Sequence, residues 1–157
     1  MILVPEYLWE YLLDAFRWPR APVERVAYLD GIHTPAVSVT TTLTIPDAQL
    51  EPLRYNVSAA AMSEAGAHFR AHGLCRLAQV HTHPSDWVGH SPVDDERAYS
   101  QHTGALSIVL PFHAQDRPTL ESAGVLRREQ NGWHRLETHE IASVIRIIPS
   151  ILDFRRS

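Results

Sequence analysis

The sequence predicts a mixed α/β domain, with a hairpin-rich central sheet flanked by helices. Three observations carry that expectation. The run AVSVTTTLTI at 36–45 alternates and is rich in β-branched residues, as half-buried strands are. Residues 5–16 and 58–72 place apolar side chains at helical spacing. Strands and helices then alternate along 157 residues, a length that suits one domain with a substantial core.

In residues 5–16, Leu8, Leu12 and Phe16 recur every fourth position. Trp9 and Leu13 widen that stripe, and Pro5 suits a first helical turn. The segment Trp18-Pro19-Arg20-Ala21-Pro22 breaks the helix. Residues 23–29 have strand character, and Asp30-Gly31 reads as the turn of a hairpin into 36–45. Residues 46–57 hold two prolines and read as a loop. The second helix, 58–72, sets Met62, Ala65 and Phe69 on one face, with Gly73 just past its end. A strand over 74–83 is followed by a loop at 84–90, and Ser91 opens a third helix to about Gln101. Residues 105–111 read as a buried strand, and 121–128 pairs with 133–136 around Gln130-Asn131-Gly132. Residues 139–146 offer a short helix. The expected order is α-β-β-α-β-α-β-β-β, one domain over 1–157 with an N-terminal helical segment (1–20) and a C-terminal tail (137–157).

Composition narrows the function classes. An apolar fraction of 45% and a charged fraction of 20% are ordinary for a soluble domain. A net charge of −4 makes no electrostatic case for nucleic acid or an anionic membrane surface. No stretch approaches the roughly 20 apolar residues that span a bilayer. The N-terminal MILVPEYLWEYLL lacks basic residues and carries Glu6 and Glu10, unlike a signal peptide, so a cytoplasmic protein is expected. The single cysteine, Cys75, excludes an internal disulfide, and its neighbours Leu74 and Leu77 suggest a buried thiol. All fourteen basic residues are arginine, and the missing lysine reads either as codon preference or as a functional exclusion.

The chemistry concentrates in HTHPSDWVGHSPVD, residues 81–94. In an extended strand, positions i and i+2 share a face, so His81 and His83 can grip one ion together. Asp94 can close the set from the following helix, and two imidazoles with one carboxylate suit catalytic zinc with a position left for water. Taken separately, the parts are less specific. Ten histidines make chance pairs common, and Ser91-Pro92-Val93-Asp94 also reads as an ordinary helix N-cap. Barrel hydrolases that begin with His-x-His exceed this chain in size and carry the motif on their first strand. His90, His102, His113, His134 and His139 lack comparable context and read as surface residues or as supports behind the ligands. Asp95 is a rival to Asp94.

His81-x-His83-Pro84, six residues, then Ser91-x-x-Asp94 resembles the JAMM motif of the MPN/JAB zinc metallopeptidases at its full spacing. That family also carries an upstream glutamate in a pattern like E-x-x-G-L-x-x-G. Here Glu24-Arg25-Val26-Ala27-Tyr28-Leu29-Asp30-Gly31 keeps the glutamate and closing glycine. Ala27 stands at the inner glycine, and Leu29 is displaced by one. Glu6, Glu10, Glu51 and Glu64 are the competitors for the glutamate's role. The resemblance covers roughly residues 6–136, resembles the compact prokaryotic branch, and implies an MPN/JAB-like domain with cytidine-deaminase-like layering.

The resemblance also implies roles. His81, His83 and Asp94 would hold one Zn²⁺, Glu24 would act as base and then acid, and Ser91 would hydrogen-bond the developing oxyanion. Trp87 would line a groove for an extended tail. The implied activity is cleavage after the C-terminal glycine of a ubiquitin-like protein, with cognate activating and conjugating enzymes as further partners, including in antiviral systems. In that setting a lysine-free chain would escape conjugation. A protease acting on a sulfur-carrier protein and a non-catalytic MPN scaffold are the alternatives.

Overall fold

The computed structural model describes all residues except 19, 153, 154, 156 and 157, so the Pro19 breaker lies outside the described residues. The chain opens on a short strand, β1 (Ile2–Pro5), and Pro5 is the N-cap of helix α1 (Glu6–Arg17) rather than a residue of its first turn. Trp9, Leu12, Leu13 and Phe16 are all buried, as the fourfold spacing requires.

β2 (Val26–His33) and β3 (Ser38–Thr44) form the expected hairpin, but its turn is displaced. β2 runs straight through Asp30-Gly31, and the reversal lies at Thr34–Val37, where the Thr34 hydroxyl donates to the Val37 carbonyl at 2.7 Å. Gly31 instead marks a β-bulge: the register with β3 skips Thr41, and a Cβ on Gly31 would overlap the Val39 carbonyl oxygen.

Residues 46–57 are not a plain loop. β4 (Ala48–Glu51) and β5 (Arg54–Val57) make a separate two-stranded ribbon with Pro52-Leu53 at its tip. Neither strand has a buried face, which removes the hydrophobic alternation that would have marked it. Helix α2 (Ala59–His72) is capped by Ser58, whose hydroxyl accepts the Ala61 N–H at 3.1 Å, and by left-handed Gly73. Its Met62, Ala65 and Phe69 face is half-buried.

β6 (Cys75–Thr82) carries the histidines toward α3 (Pro92–Arg97). Cys75 is half-buried rather than buried, because it sits at the open start of β6, its thiol 3.4 Å from the Gly31 carbonyl. Helix α3 stops at Arg97, well short of Gln101. Ala98 is extended, and the Tyr99 N–H that would continue the helix goes to the Gln79 side-chain oxygen at 3.1 Å. β7 (Leu106–Leu110) is wholly buried, and β8 (Gly124–Glu129) and β9 (Gly132–Arg135) form the predicted hairpin, starting at Gly124 rather than 121. The tail is half helix and half strand: α4 (Thr138–Val144), then β10 (Ile145–Ile148).

The eight strands order β10-β1-β3-β2-β6-β7-β8-β9 in one mixed sheet flanked by helices, the fold class read from the sequence. β1 pairs in parallel with both β10 and β3, joining segments too far apart in the chain for local patterning to reveal. Strand alternation divides the sheet into unlike faces. On one, Ala27, Leu29, Ala78, Val80, Ile108, Leu110 and Val125 form the main core with α1. The other carries Tyr28, Gln79, His81 and Ser107, a polar row. Pairing of Asp30 with Arg76 and Leu29 with Ala78 skips Leu77, a second bulge, which brings Arg76 onto this polar side. Among the described residues, no helix is long and apolar enough to cross a membrane.

Candidate metal centre

β6 delivers His81 and, one residue past its end, His83, with 0% and 4% exposure. Asp94 comes from the first turn of α3. Its position follows from a capping box: the Ser91 N–H donates to Asp94 Oδ2 at 2.7 Å, and the Asp94 N–H donates to Ser91 Oγ at 3.2 Å. The Ser91-Pro92-Val93-Asp94 run is therefore a helix cap and a site element at once.

The three side chains converge. His81 Nε2 lies 3.6 Å from Asp94 Oδ1, and His83 Nε2 lies 3.5 Å from Asp94 Oδ2. One ligand atom from each residue falls within 4.8 Å of the others. Tetrahedral ligands held ~2.1 Å from zinc stand roughly 3.4 Å apart, and each histidine lies near that distance from one Asp94 oxygen, His81 from Oδ1 and His83 from Oδ2.

The protonation state of His81 supports the same conclusion. Burial drives the His81 pKa down to about 3, despite Asp94 nearby, so its ring is neutral with a lone pair to give. Both His81 ring nitrogens are buried without a hydrogen-bond partner, a costly state that a cation on one of them relieves. His83 donates Nδ1–H to the Trp87 carbonyl at 3.0 Å, leaving Nε2 to face Asp94. Burial opposes the charged His83 ring, yet Asp94, the Trp87 carbonyl and Glu24 raise its pKa overall. Burial likewise opposes charge on Asp94, but His83, His81 and Ser91 hold it well below the usual carboxylate range. The donor set fits zinc, and imidazole donors also suit other first-row dications.

Glu24 lies two residues before β2 and is only 5% exposed. Its N–H donates to the Glu51 carbonyl at 2.8 Å, and next to it Arg25 N–H donates to Thr82 Oγ1 at 2.9 Å. The first bond ties the glutamate to β4, and the second ties its neighbour to β6, the strand of His81. Glu24 lines a cleft of about 460 Å³ with His83, Ser91, Asp94 and Trp87. Burial pushes its pKa up to about 7, offset in part by His83 and reinforced by Asp94. The competing glutamates go elsewhere. Glu51 is exposed and pairs with Arg54 at 2.8 Å, Glu10 pairs with Arg117, and Glu6 and Glu64 are exposed. Asp95 turns away from the ligands to His90 Nδ1, 2.9 Å off.

Trp87 is 51% exposed and stacks on His83 with centroids 5.0 Å apart. Its loop is pinned by Val88, which packs with Val109 and Leu126 in a second apolar cluster. A Cβ on Gly124 would overlap the Val88 carbonyl oxygen, so glycine there lets the loop lie flat on β8. Beneath His83, residues Phe112, His113 and Ala114 are all left-handed, with φ of 50°, 52° and 59°. Such backbone costs about 1–3 kcal/mol per residue. The turn is held by His113 N–H on the His83 carbonyl (2.8 Å) and Phe112 N–H on the Ser85 carbonyl (3.0 Å), clamping the end of the ligand strand.

His102, His134 and His139 are exposed, as expected. His90 is not: its side chain is 3% exposed and packs beside His81, a burial the sequence reading left open as surface or support. Tyr55, Gln79 and Ser107 also surround the ligands and were not singled out. Ser107 carried a usable signal, as the lone polar residue of the otherwise apolar β7, and Gln79 stands two residues before His81 on the same strand.

No family model matches the chain, and no curated protein matches it. Solved structures do. The chain is similar to DSY2949 of Desulfitobacterium hafniense, with a TM-score of 0.73 and 16% identity over 96% of this chain and 95% of that one. A protein of Salinibacter ruber gives a TM-score of 0.56 at 19% identity, over 87% and 89%. AF2198 of Archaeoglobus fulgidus, a JAB1/MPN domain protein, gives 0.51 at 14% identity, over 94% and 97%. The fold is therefore MPN-like. At these identities the likeness describes architecture alone.

Proposed function

We propose that this protein is a JAMM-type zinc metallopeptidase that cuts after the C-terminal glycine of a ubiquitin-like protein, by deconjugation or precursor maturation. The observation that carries the proposal is the convergence of buried His81, His83 and Asp94, with His83 and Asp94 lining a cleft that the buried Glu24 also lines. A bound zinc ion would supply Lewis acidity, lowering the pKa of a water and polarising the scissile carbonyl. His81 and His83 would hold it through neutral nitrogens, with Asp94 as the anionic third ligand. Glu24, whose pKa near 7 suits proton transfer in both directions, accepts the proton of the attacking water and delivers it to the departing amine. Ser91 spends its oxygen lone pair on the Asp94 N–H, so its own O–H remains to donate to the oxyanion. The tip of the β4–β5 ribbon, Leu53, and Trp87 line the cleft, where on this reading an extended tail would lie. The partners on this reading are the modifier and its activating and conjugating enzymes.

The test is incubation of the purified protein, with and without Zn²⁺, with ubiquitin-like fusions, reading the cut by mass spectrometry. Cleavage after the terminal glycine that is lost with a chelator and restored by zinc supports the proposal. A zinc-loaded protein that leaves every fusion intact, or cuts unaffected by chelation, overturns it.

A further inference from the structure

His81 presents a problem of orientation. A metal-ligating imidazole ordinarily gives its second N–H to an oxygen, which fixes ring and tautomer. His83 does so through the Trp87 carbonyl; His81 has no such partner at either nitrogen. Its ring is instead enclosed by other rings. Tyr55 lies on one approach, with centroids 5.6 Å apart and planes at 49°; His90 lies on another, at 5.7 Å and 44°.

Each of these rings is itself tethered. Gln79 Nε2 donates to the Tyr55 hydroxyl at 2.6 Å, and Gln79 Oε1 takes the Tyr99 N–H. His90 Nε2 bonds Ser107 Oγ at 2.8 Å, and His90 Nδ1 bonds Asp95 at 2.9 Å. Gln79 and Ser107 are 1% and 0% exposed and are register partners on the adjacent strands β6 and β7. Gln79 stands two residues before His81, on its own face. A buried polar pair thus forms a floor directly below the ligands and sends one arm up on each side of His81.

We propose that Tyr55 and His90 are the positioning residues of the metal centre, holding the His81 ring in its ligating orientation in place of the hydrogen bond it lacks. The inference rests on the metal reading of the site and deepens it. His90 has a double task, because its bond to Asp95 also fixes the helix that carries Asp94. Tyr55 belongs to the β4–β5 ribbon, whose Glu51 carbonyl receives the Glu24 N–H, so one ribbon supports both ligand and base.

The test uses Co²⁺ as probe on the full chain, measuring affinity by chelator competition and ligand geometry from the visible d–d spectrum. Tyr55→Ala and His90→Ala are expected to weaken Co²⁺ binding by about 10- to 100-fold and to alter the spectrum, the range typical of losing a ligand's supporting partner. Tyr55→Phe and His90→Phe keep a ring without its tether and are expected to recover most of that loss. Should an alanine variant fail to fold, Ser107→Ala and Gln79→Met cut only the tethers and are expected to broaden the spectrum and weaken binding several-fold, roughly the lower end of that range. Alanine or tether variants that fold and bind Co²⁺ as the parent does, with an unchanged spectrum, overturn the positioning role alone. A parent that binds no Co²⁺, or binds it equally well as His81→Ala, overturns the metal reading instead.

Discussion

At one end of the β2–β6 pair, wholly buried Asp30 receives the Arg76 guanidinium at 3.1 Å. That guanidinium lies 3.5 Å over the Tyr28 ring and 5.0 Å from Phe69. At the other end of the same two strands, equally buried His81 has neither ring nitrogen bonded. Both ends sink polar groups into the sheet, yet only at the first does the charged partner come within hydrogen-bond distance; His81 Nε2 stands 3.6 Å from Asp94 Oδ1. At the first end opposite charges meet in a hydrogen bond; at the second, the nitrogen and carboxylate lone pairs face one another, as a group that could hold a cation does. A buried polar group becomes informative through what it lacks.

The largest contrast comes from removing one group at the open end. His81→Ala is expected to lose bound zinc and cleavage together, whereas Glu24→Gln keeps the zinc and loses about 10²- to 10⁴-fold in rate, the scale of general acid–base catalysis. Metal analysis beside single-turnover rates checks both, and a fully active Glu24→Gln would remove that residue from the mechanism. At the closed end the effect moves to stability. Arg76→Met strands Asp30 in the sheet and is expected to cost about 3–5 kcal/mol in denaturant unfolding. Adding Asp30→Asn restores part of that, and zinc affinity stays unchanged throughout. A fall in zinc affinity would show that the two ends are coupled rather than independent.

Ser91→Ala stands between the two ends. Loss of the oxyanion donor is expected to raise the barrier by about 2.7–4 kcal/mol. Loss of the helix cap is expected to take ~1 kcal/mol of stability. A variant with the second effect but no change in rate would make Ser91 a cap only. The smallest effect concerns pH. Burial outweighs Thr44 and Arg76 and raises the Asp30 pKa, so protonation favours the folded state. The stability Asp30 contributes is present in acid and lost as pH rises through its folded pKa. Unfolding across the carboxylate range is expected to show that decline in the parent and less of it in Asp30→Asn.

Much of this was legible from residue order because the responsible forces are local. The His81-x-His83 spacing places two rings on one strand face whatever surrounds them, and Ser91 to Asp94 builds its own cap. The stripe of α1 and the β8–β9 hairpin are likewise patterns within one or two turns of chain. Gly31 shows the limit. Asp-Gly is a turn signal by propensity, but the approach of the Val39 carbonyl, a tertiary demand, makes the same glycine a bulge inside a strand.

What the sequence by itself determined is the candidate His-His-Asp group and the layered α/β class, since periodicity and spacing follow from backbone geometry alone. The tertiary structure decided which glutamate enters the cleft, and it made Tyr55 and His90 neighbours of His81. It also joined β1 to β10 across the length of the chain. Those outcomes depend on pairings between distant segments and on which polar atoms end up buried without partners. Neither is encoded in any short window of residues.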